Sequence, residues 1–207
     1  MLSVKATAMV SLVAALATVA IAAFVPHASR SAAAPDANSR TSVVPVVAKV
    51  DVKEASPAGD LADLAARHLL MPVQGFDPKG LRDNFEEMRG LRRHEALDIM
   101  APRGTPVVAA DDGTIAKLFR SVAGGITIYQ FDPAQKFVYY YAHLDRYRDG
   151  LGQGDAVKRG EVIGYVGSTG NAPPNAPHLH FTIFELGPEK RWWRGKAVNP
   201  YPYLAAR

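Results

Sequence analysis

The chain predicts a mainly β fold built on an antiparallel sheet, with a short helix and an apolar segment ahead of it. Three observations carry this reading. From Met71 onward, short apolar segments at 105–110, 114–119, 125–131, 137–143, 162–166 and 178–185 are separated by Gly, Pro, Asn and Asp at regular spacing. The run Phe137-Val138-Tyr139-Tyr140-Tyr141 is dense in residues that favour a pleated, half-buried surface. Finally, Gly104-Thr105-Pro106-Val107 leading to Gly113-Thr114-Ile115 is echoed by Gly154-Asp155-Ala156-Val157 leading to Gly160-Glu161-Val162-Ile163. Each copy reads as turn, strand, glycine turn, strand, so the echo suggests two similar hairpin units packed together as in a barrel-sandwich.

Taken in order, residues 1–25 hold Lys5 and then an uncharged run over 6–25, the pattern of an export segment. Ala-x-Ala-like sites near 20–22 and 32–34 support a cleaved signal peptide. Length supports an uncleaved inner-membrane anchor, because about 20 apolar residues span a bilayer. Length favours the anchor, and either reading sends the remainder to the periplasm or cell envelope. Residues 26–59 are rich in Ala, Ser, Pro and Val and read as a flexible or extended tether in which His27 is solvated. Asp60 is placed to cap a short helix over 60–70, with Leu61, Leu64, Ala65 and Leu69 on one stripe and His68 on its surface. Residues 71–207 form the main domain. Asp149-Gly150 and Thr169-Gly170-Asn171 mark turns within it. Glycines 150, 152 and 154 lack the preceding strand and following helix of a phosphate loop, so they too read as turn residues.

A chain of 207 residues suffices for one well-buried core plus an appendage. The absence of cysteine excludes disulfides and thiolate ligands and forces any metal onto His and carboxylate. A formal charge of +4 suits approach to anionic envelope polymers but is too small to argue for nucleic acid, and no nucleic-acid motif is present.

The chemistry concentrates around Ala176-Pro177-His178-Leu179-His180-Phe181. A His-x-His on a strand puts both imidazoles on one face, with Cα atoms about 6.5–7 Å apart, while Leu179 and Phe181 turn to the core. His94 and Asp98 stand four apart in His94-Glu95-Ala96-Leu97-Asp98. Helical spacing there looks like half of a zincin motif, but Pro102 and Gly104 follow at once and no long helical pattern surrounds it. A straight strand would separate their Cα atoms by about 13 Å, so the chain must bend between them, with Leu97 and Ile99 entering the core. His143 lies in Tyr141-Ala142-His143-Leu144-Asp145. Strict alternation puts Tyr139 and Tyr141 on the same side as His143, with core packing the default role for the tyrosines.

These motifs, in this order, resemble the lysostaphin-type (LytM-like) zinc metalloendopeptidases that cut peptidoglycan. The resemblance runs from about residue 72 to 204. It includes Ala101-Pro102-Arg103-Gly104-Thr105-Pro106-Val107, Tyr141-Ala142-His143-Leu144, Val157-Lys158-Arg159-Gly160-Glu161-Val162-Ile163-Gly164, Val166-Gly167-Ser168-Thr169-Gly170, the His-x-His and Val198-Asn199-Pro200. It implies a barrel-sandwich of the duplicated hybrid motif type. It also implies one Zn2+ per chain held by His94, Asp98 and His180, with His143 and His178 as unligated catalytic histidines. Periodicity alone does not separate His178 from His180; only the resemblance does. Such a site leaves the fourth tetrahedral position open, as a catalytic zinc requires. One departure bears on the bend: the family commonly has glycine where this chain has Ala96, so the bend must be made without positive φ there, or with strain.

The leading expectation is therefore an exported zinc endopeptidase acting on peptidoglycan stem peptides. The alternative is a non-catalytic wall-binding or amidase-activating module of the same fold, which the presence of all five site residues argues against. A phosphocarrier or biotinyl-like domain is disfavoured by the missing carrier-lysine motif and by the export segment. Arg191-Trp192-Trp193-Arg194 offers aromatic and cationic surface for sugars or peptide stems, with one tryptophan expected to pack the carboxy-terminal segment onto the sheet. The proline-rich stretch 171–177 should form a stiff rim beside the site.

Overall fold

The computed structural model describes residues 57–205, with residues 57–60 as backbone only. The export segment and nearly all of the expected tether lie outside the described residues. Among those that are described, no helix is long and apolar enough to cross a membrane.

Helix α1 spans Pro57–Ala66, earlier at both ends than the expected 60–70. Proline suits a first helical turn, where its missing N–H would have no partner anyway. Past Ala66 the chain turns through His68, whose φ is 53°. Leu69 therefore reaches the core from an extended segment instead of from the helix, and both Leu64 and Leu69 are buried. Arg67 ties this end to the sheet: it pairs with Asp111 at 3.1 Å and with Asp132 at 2.6 Å. The Tyr139 hydroxyl donates to the same Asp111 carboxylate at 2.9 Å.

Eleven strands follow among the described residues. A small hairpin pairs β1 (Met88–Arg89) with β2 (Arg92–Arg93). The main sheet holds β3 (Leu97–Met100), β4 (Pro106–Val108), β5 (Gly113–Ser121), β6 (Gly125–Phe131), β7 (Phe137–Tyr147), β8 (Ala156–Val157), β9 (Val162–Val166), β10 (His178–Leu186) and β11 (Gly195–Val198). A final helical turn, α2, covers Tyr201–Leu204. The strand order is β11-β10-β7-β6-β5-β8, with β3 against β10 and β9 bridging β4 and β7. Every named pair is antiparallel.

The repeated segments do not form the two separate hairpins expected of them. They pair crosswise: β4 of the first copy runs against β9 of the second, and β5 of the first against β8 of the second. Neither copy has a partner strand within itself, so the two interlock. The core lies on the inner side of the sheet and is built from Leu97, Ile99, Ile128, Phe137, Tyr139, Tyr141, Leu144, Ile163, Leu179 and Phe181, all fully buried. The two buried tyrosines bring hydroxyls that must find partners. Tyr141 donates to Gln130 Oε1 at 2.8 Å and accepts from the Ala110 N–H at 2.9 Å.

A candidate metal centre

Strand β10 lies between β3 and β7, with His180 opposite Asp98 on one side and Ala142 on the other. The antiparallel register therefore makes Asp98 and His180 direct cross-strand neighbours, while Leu179 and Phe181 fill the core. The bend expected between His94 and Asp98 is present, but its positive φ falls on Glu95, at 56°, and not on Ala96. Ala96 is fully buried, and the bend is made with the left-handed residue one position ahead of it.

Three ligating atoms converge. His94 Nε2 lies 3.0 Å from Asp98 Oδ1 and 3.1 Å from His180 Nδ1, and His180 Nδ1 lies 3.2 Å from Asp98 Oδ1. Zinc bonds of about 2.0–2.1 Å to nitrogen and oxygen would place tetrahedral ligands about 3.3–3.4 Å apart, close to this triangle. The donor set fits as well, being two imidazoles and one carboxylate with no thiolate. His94 Nδ1 stands 3.1 Å from the Asn84 carbonyl oxygen. A carbonyl can only accept, so Nδ1 carries the proton and the Nε2 lone pair is left to face the cluster. Asn84 also accepts the Asp98 N–H through Oδ1 at 3.2 Å. Burial acts to raise the Asp98 pKa, but the facing His180 and His94 rings outweigh it and hold the carboxyl well below the usual carboxylate range. Burial lowers the pKa of His180, which keeps its ring neutral and able to ligate.

His143 and His178 flank this triangle. Their ring centroids are 5.0 Å apart, and His143 is 5.4 Å from His180. Each is oriented by a backbone carbonyl: His143 Nδ1 donates to Thr169 O at 2.8 Å, and His178 Nδ1 to Ala176 O at 2.8 Å. In the neutral tautomer this fixes, Nε2 is the free nitrogen of each ring, and that of His178 lies 3.6 Å from Asp98 Oδ1. Burial pushes the His143 pKa down to about 4, against the opposing hydrogen bond to Thr169.

The alternation read from the sequence fails at His143. Tyr139 and Tyr141 are buried in the core, whereas His143 faces the site. The pairing of β6 with β7 shifts register between Ile126 and Ile128, so that Ile128 stands opposite Tyr141 but Ile126 stands opposite Leu144. This bulge, with His143 at φ 59°, inserts one residue and rotates the histidine from the core side to the groove side. Tyr140, not Tyr141, is the tyrosine beside the site, edge-on to His180 at 6.1 Å.

Residues 92–200 match the family described as Peptidase family M23. Among curated relatives, the L-Ala–D-Glu endopeptidase of Bacillus subtilis is 34% identical over 122 residues, covering 56% of this chain and 36% of the relative. The DD-carboxypeptidase/endopeptidase Mpg of Neisseria meningitidis is 41% identical over 110 residues, covering 53% of this chain and 22% of the relative. The chain thus spans well under half the length of these relatives. Among solved structures, a Ruminococcus gnavus protein named for glycyl-glycine endopeptidase lytM superposes with a TM-score of 0.53 at 35% identity, over 61% of this chain and 53% of that one. Csd3 of Helicobacter pylori gives 0.51 at 26% identity, over 67% of this chain and 35% of that one. The antiparallel architecture matches these structures, and the matched span 92–200 contains His94, Asp98, His143, His178 and His180. The chain belongs to peptidase family M23 and is homologous to the LytM- and lysostaphin-type peptidoglycan endopeptidases.

Proposed function

We propose that this protein is an exported zinc-dependent endopeptidase that hydrolyses peptide cross-links of peptidoglycan. The observation that carries the proposal is the triangle of His94 Nε2, Asp98 Oδ1 and His180 Nδ1, with edges of 3.0, 3.1 and 3.2 Å. His94, Asp98 and His180 would hold one Zn2+, whose Lewis acidity would act on a peptide carbonyl and on water. His143 and His178 then serve as the proton-handling pair. Each has its Nδ1–H committed to a carbonyl, so each offers Nε2 to take a proton from water, or, once protonated, to stabilise negative charge and return the proton to the leaving amine. His143, with its depressed pKa, is neutral at pH 7 and ready to accept. A Vibrio cholerae relative named Peptidoglycan DD-endopeptidase ShyC, 33% identical over 100 residues, supports the substrate class. The net charge of +4 suits an anionic wall, and the segment over 6–25 would tether the domain to the inner membrane.

The test is to digest purified peptidoglycan with the full chain, with and without chelator, and to identify the fragments by mass. Elemental analysis of the same material should give one zinc per chain. Chelator-sensitive release of uncrosslinked muropeptides, abolished by His180→Ala, is expected. Binding to the wall without release of fragments, with zinc supplied, would establish a binding module instead.

A further inference from the structure

A row of aromatic rings leaves the metal centre along the outer face of the sheet. It begins at Tyr140, edge-on to His180 at 6.1 Å. Tyr140 meets Tyr129, its cross-strand partner, at 4.6 Å. Tyr129 meets Trp192 at 4.7 Å, and Trp192 meets Trp193 at 5.2 Å. Phe119 supports Trp192 from beside it at 5.9 Å. Trp192 thus folds the loop between β10 and β11 back over the sheet, and this holds its neighbour out: Trp193 is 60% exposed, with the Arg191 guanidinium 5.9 Å from its ring.

An exposed indole at the end of a row that starts at a catalytic centre marks an interaction surface more than a packing need. The row lies on the face of β6, β7 and β10, whose backbone groups are paired with strands on both sides. A peptide laid there would find no free strand edge to extend, which is how extended peptides are usually held. Flat ring faces suit the flat C–H faces of pyranose rings, and the tyrosine O–H and indole N–H at the ring edges can meet sugar hydroxyls. The same loop borders a recess of about 600 Å3 whose lining includes Lys190, Arg191, Arg194 and Lys196 against Glu185 and Glu189. The excess of cations matches the carboxylates that accompany amino sugars in a muropeptide.

We propose that the row Tyr140–Tyr129–Trp192–Trp193 is a saccharide subsite that holds the N-acetyl amino-sugar chain of the muropeptide whose peptide lies at the metal centre. The proposal rests on the hydrolase reading for its substrate, but its binding step does not require turnover. The full chain, stripped of metal, is titrated with a β-1,4-linked N-acetylglucosamine tetramer while tryptophan fluorescence is followed. A saturable change is expected, weakened about tenfold or more in Trp193→Ala, where Trp192 remains as reporter. No change at millimolar sugar, or equal affinity in the variant, overturns the proposal. A sugar-free stem peptide that displaces the tetramer from the tryptophans would assign the row to peptide and overturn it equally. In turnover, Trp193→Ala should lower the ratio of kcat/KM for glycan-linked over sugar-free cross-linked peptide about tenfold; an unchanged ratio also overturns it. If neither substrate is cut by the native chain, the hydrolase reading fails while the sugar titration still decides the subsite.

Discussion

Arg89 donates to Asp98 Oδ2 at 3.1 Å, while Oδ1 of the same carboxylate is the oxygen that faces His94 and His180. One oxygen is thereby occupied from the β1–β2 hairpin and the other is presented to the cluster. Arg89 in turn is braced by Glu87 at 3.0 Å. Partners behind metal ligands typically contribute about 10–100-fold in affinity. Because Arg89 is half exposed, Arg89→Ala should weaken zinc binding by about tenfold, at the low end of that range, as read by competition with a chromophoric chelator. Equal affinity in the variant would show that the contact is incidental.

The depressed pKa of His143 has a consequence for stability. Its ordinary value is about 6.5, and burial takes it down to about 4 in the folded chain. Between those values the unfolded chain binds the extra proton. Stability of the metal-free protein should therefore be intact above pH 6.5 and fall as pH drops toward 4. Burial of His180 acts in the same direction. Urea midpoints across this range should show the slope, and His143→Gln should make it shallower.

Tyr141→Phe removes one hydroxyl and orphans two buried groups, the Ala110 N–H and Gln130 Oε1. Leaving a buried polar group unsatisfied costs about 1–3 kcal/mol, so the unfolding free energy should fall by at least that much, read as a lower urea midpoint at unchanged slope. Because the ring points away from the groove, cleavage at saturating substrate should change far less than stability.

Gly125 sits at φ 66°, and a Cβ there would strike Thr169 Oγ1 and the Gly170 backbone. Thr169 holds three groups: its carbonyl orients His143, its hydroxyl donates to Leu144 O at 2.7 Å, and it accepts the Ile126 N–H at 2.9 Å. Gly125→Ala should therefore lower kcat about 10–100-fold, as expected for misplacing a proton-transfer group. Zinc content should stay at one per chain. Loss of metal in this variant would mean that the whole site, and not His143 alone, had moved.

Much of this site was legible before any coordinates. Period-two alternation placed Leu179 and Phe181 in the core and paired the histidines of β10, and the distance argument required a bend ahead of Asp98. What could not be read was where the backbone breaks its own rule. Nothing in the residue types of Ala142-His143 signals a bulge, so alternation keeps His143 on the side of Tyr139 and Tyr141; the tyrosines do pack the core as expected, and it is the histidine that leaves their side. The same holds for Glu95, since positive φ at a residue other than glycine leaves no compositional mark. Asn84 and Arg89 act across the turn and hairpin ahead of β3, and neither carried a motif to point to them. The crosswise pairing of the repeats was hidden for a similar reason. Sequence shows that two segments are alike, whereas tertiary pairing decides which one each will accept.

The docking of β10 between β3 and β7 makes the cluster depend on a strand late in the chain. A chain that emerges from its amino terminus presents His94 and Asp98 long before His178 and His180. Until that late strand slots into the waiting gap, neither half of the cluster has a counterpart. A nascent or truncated chain ending ahead of it would lack His178 and His180, so the cluster would be complete only once that strand is in place.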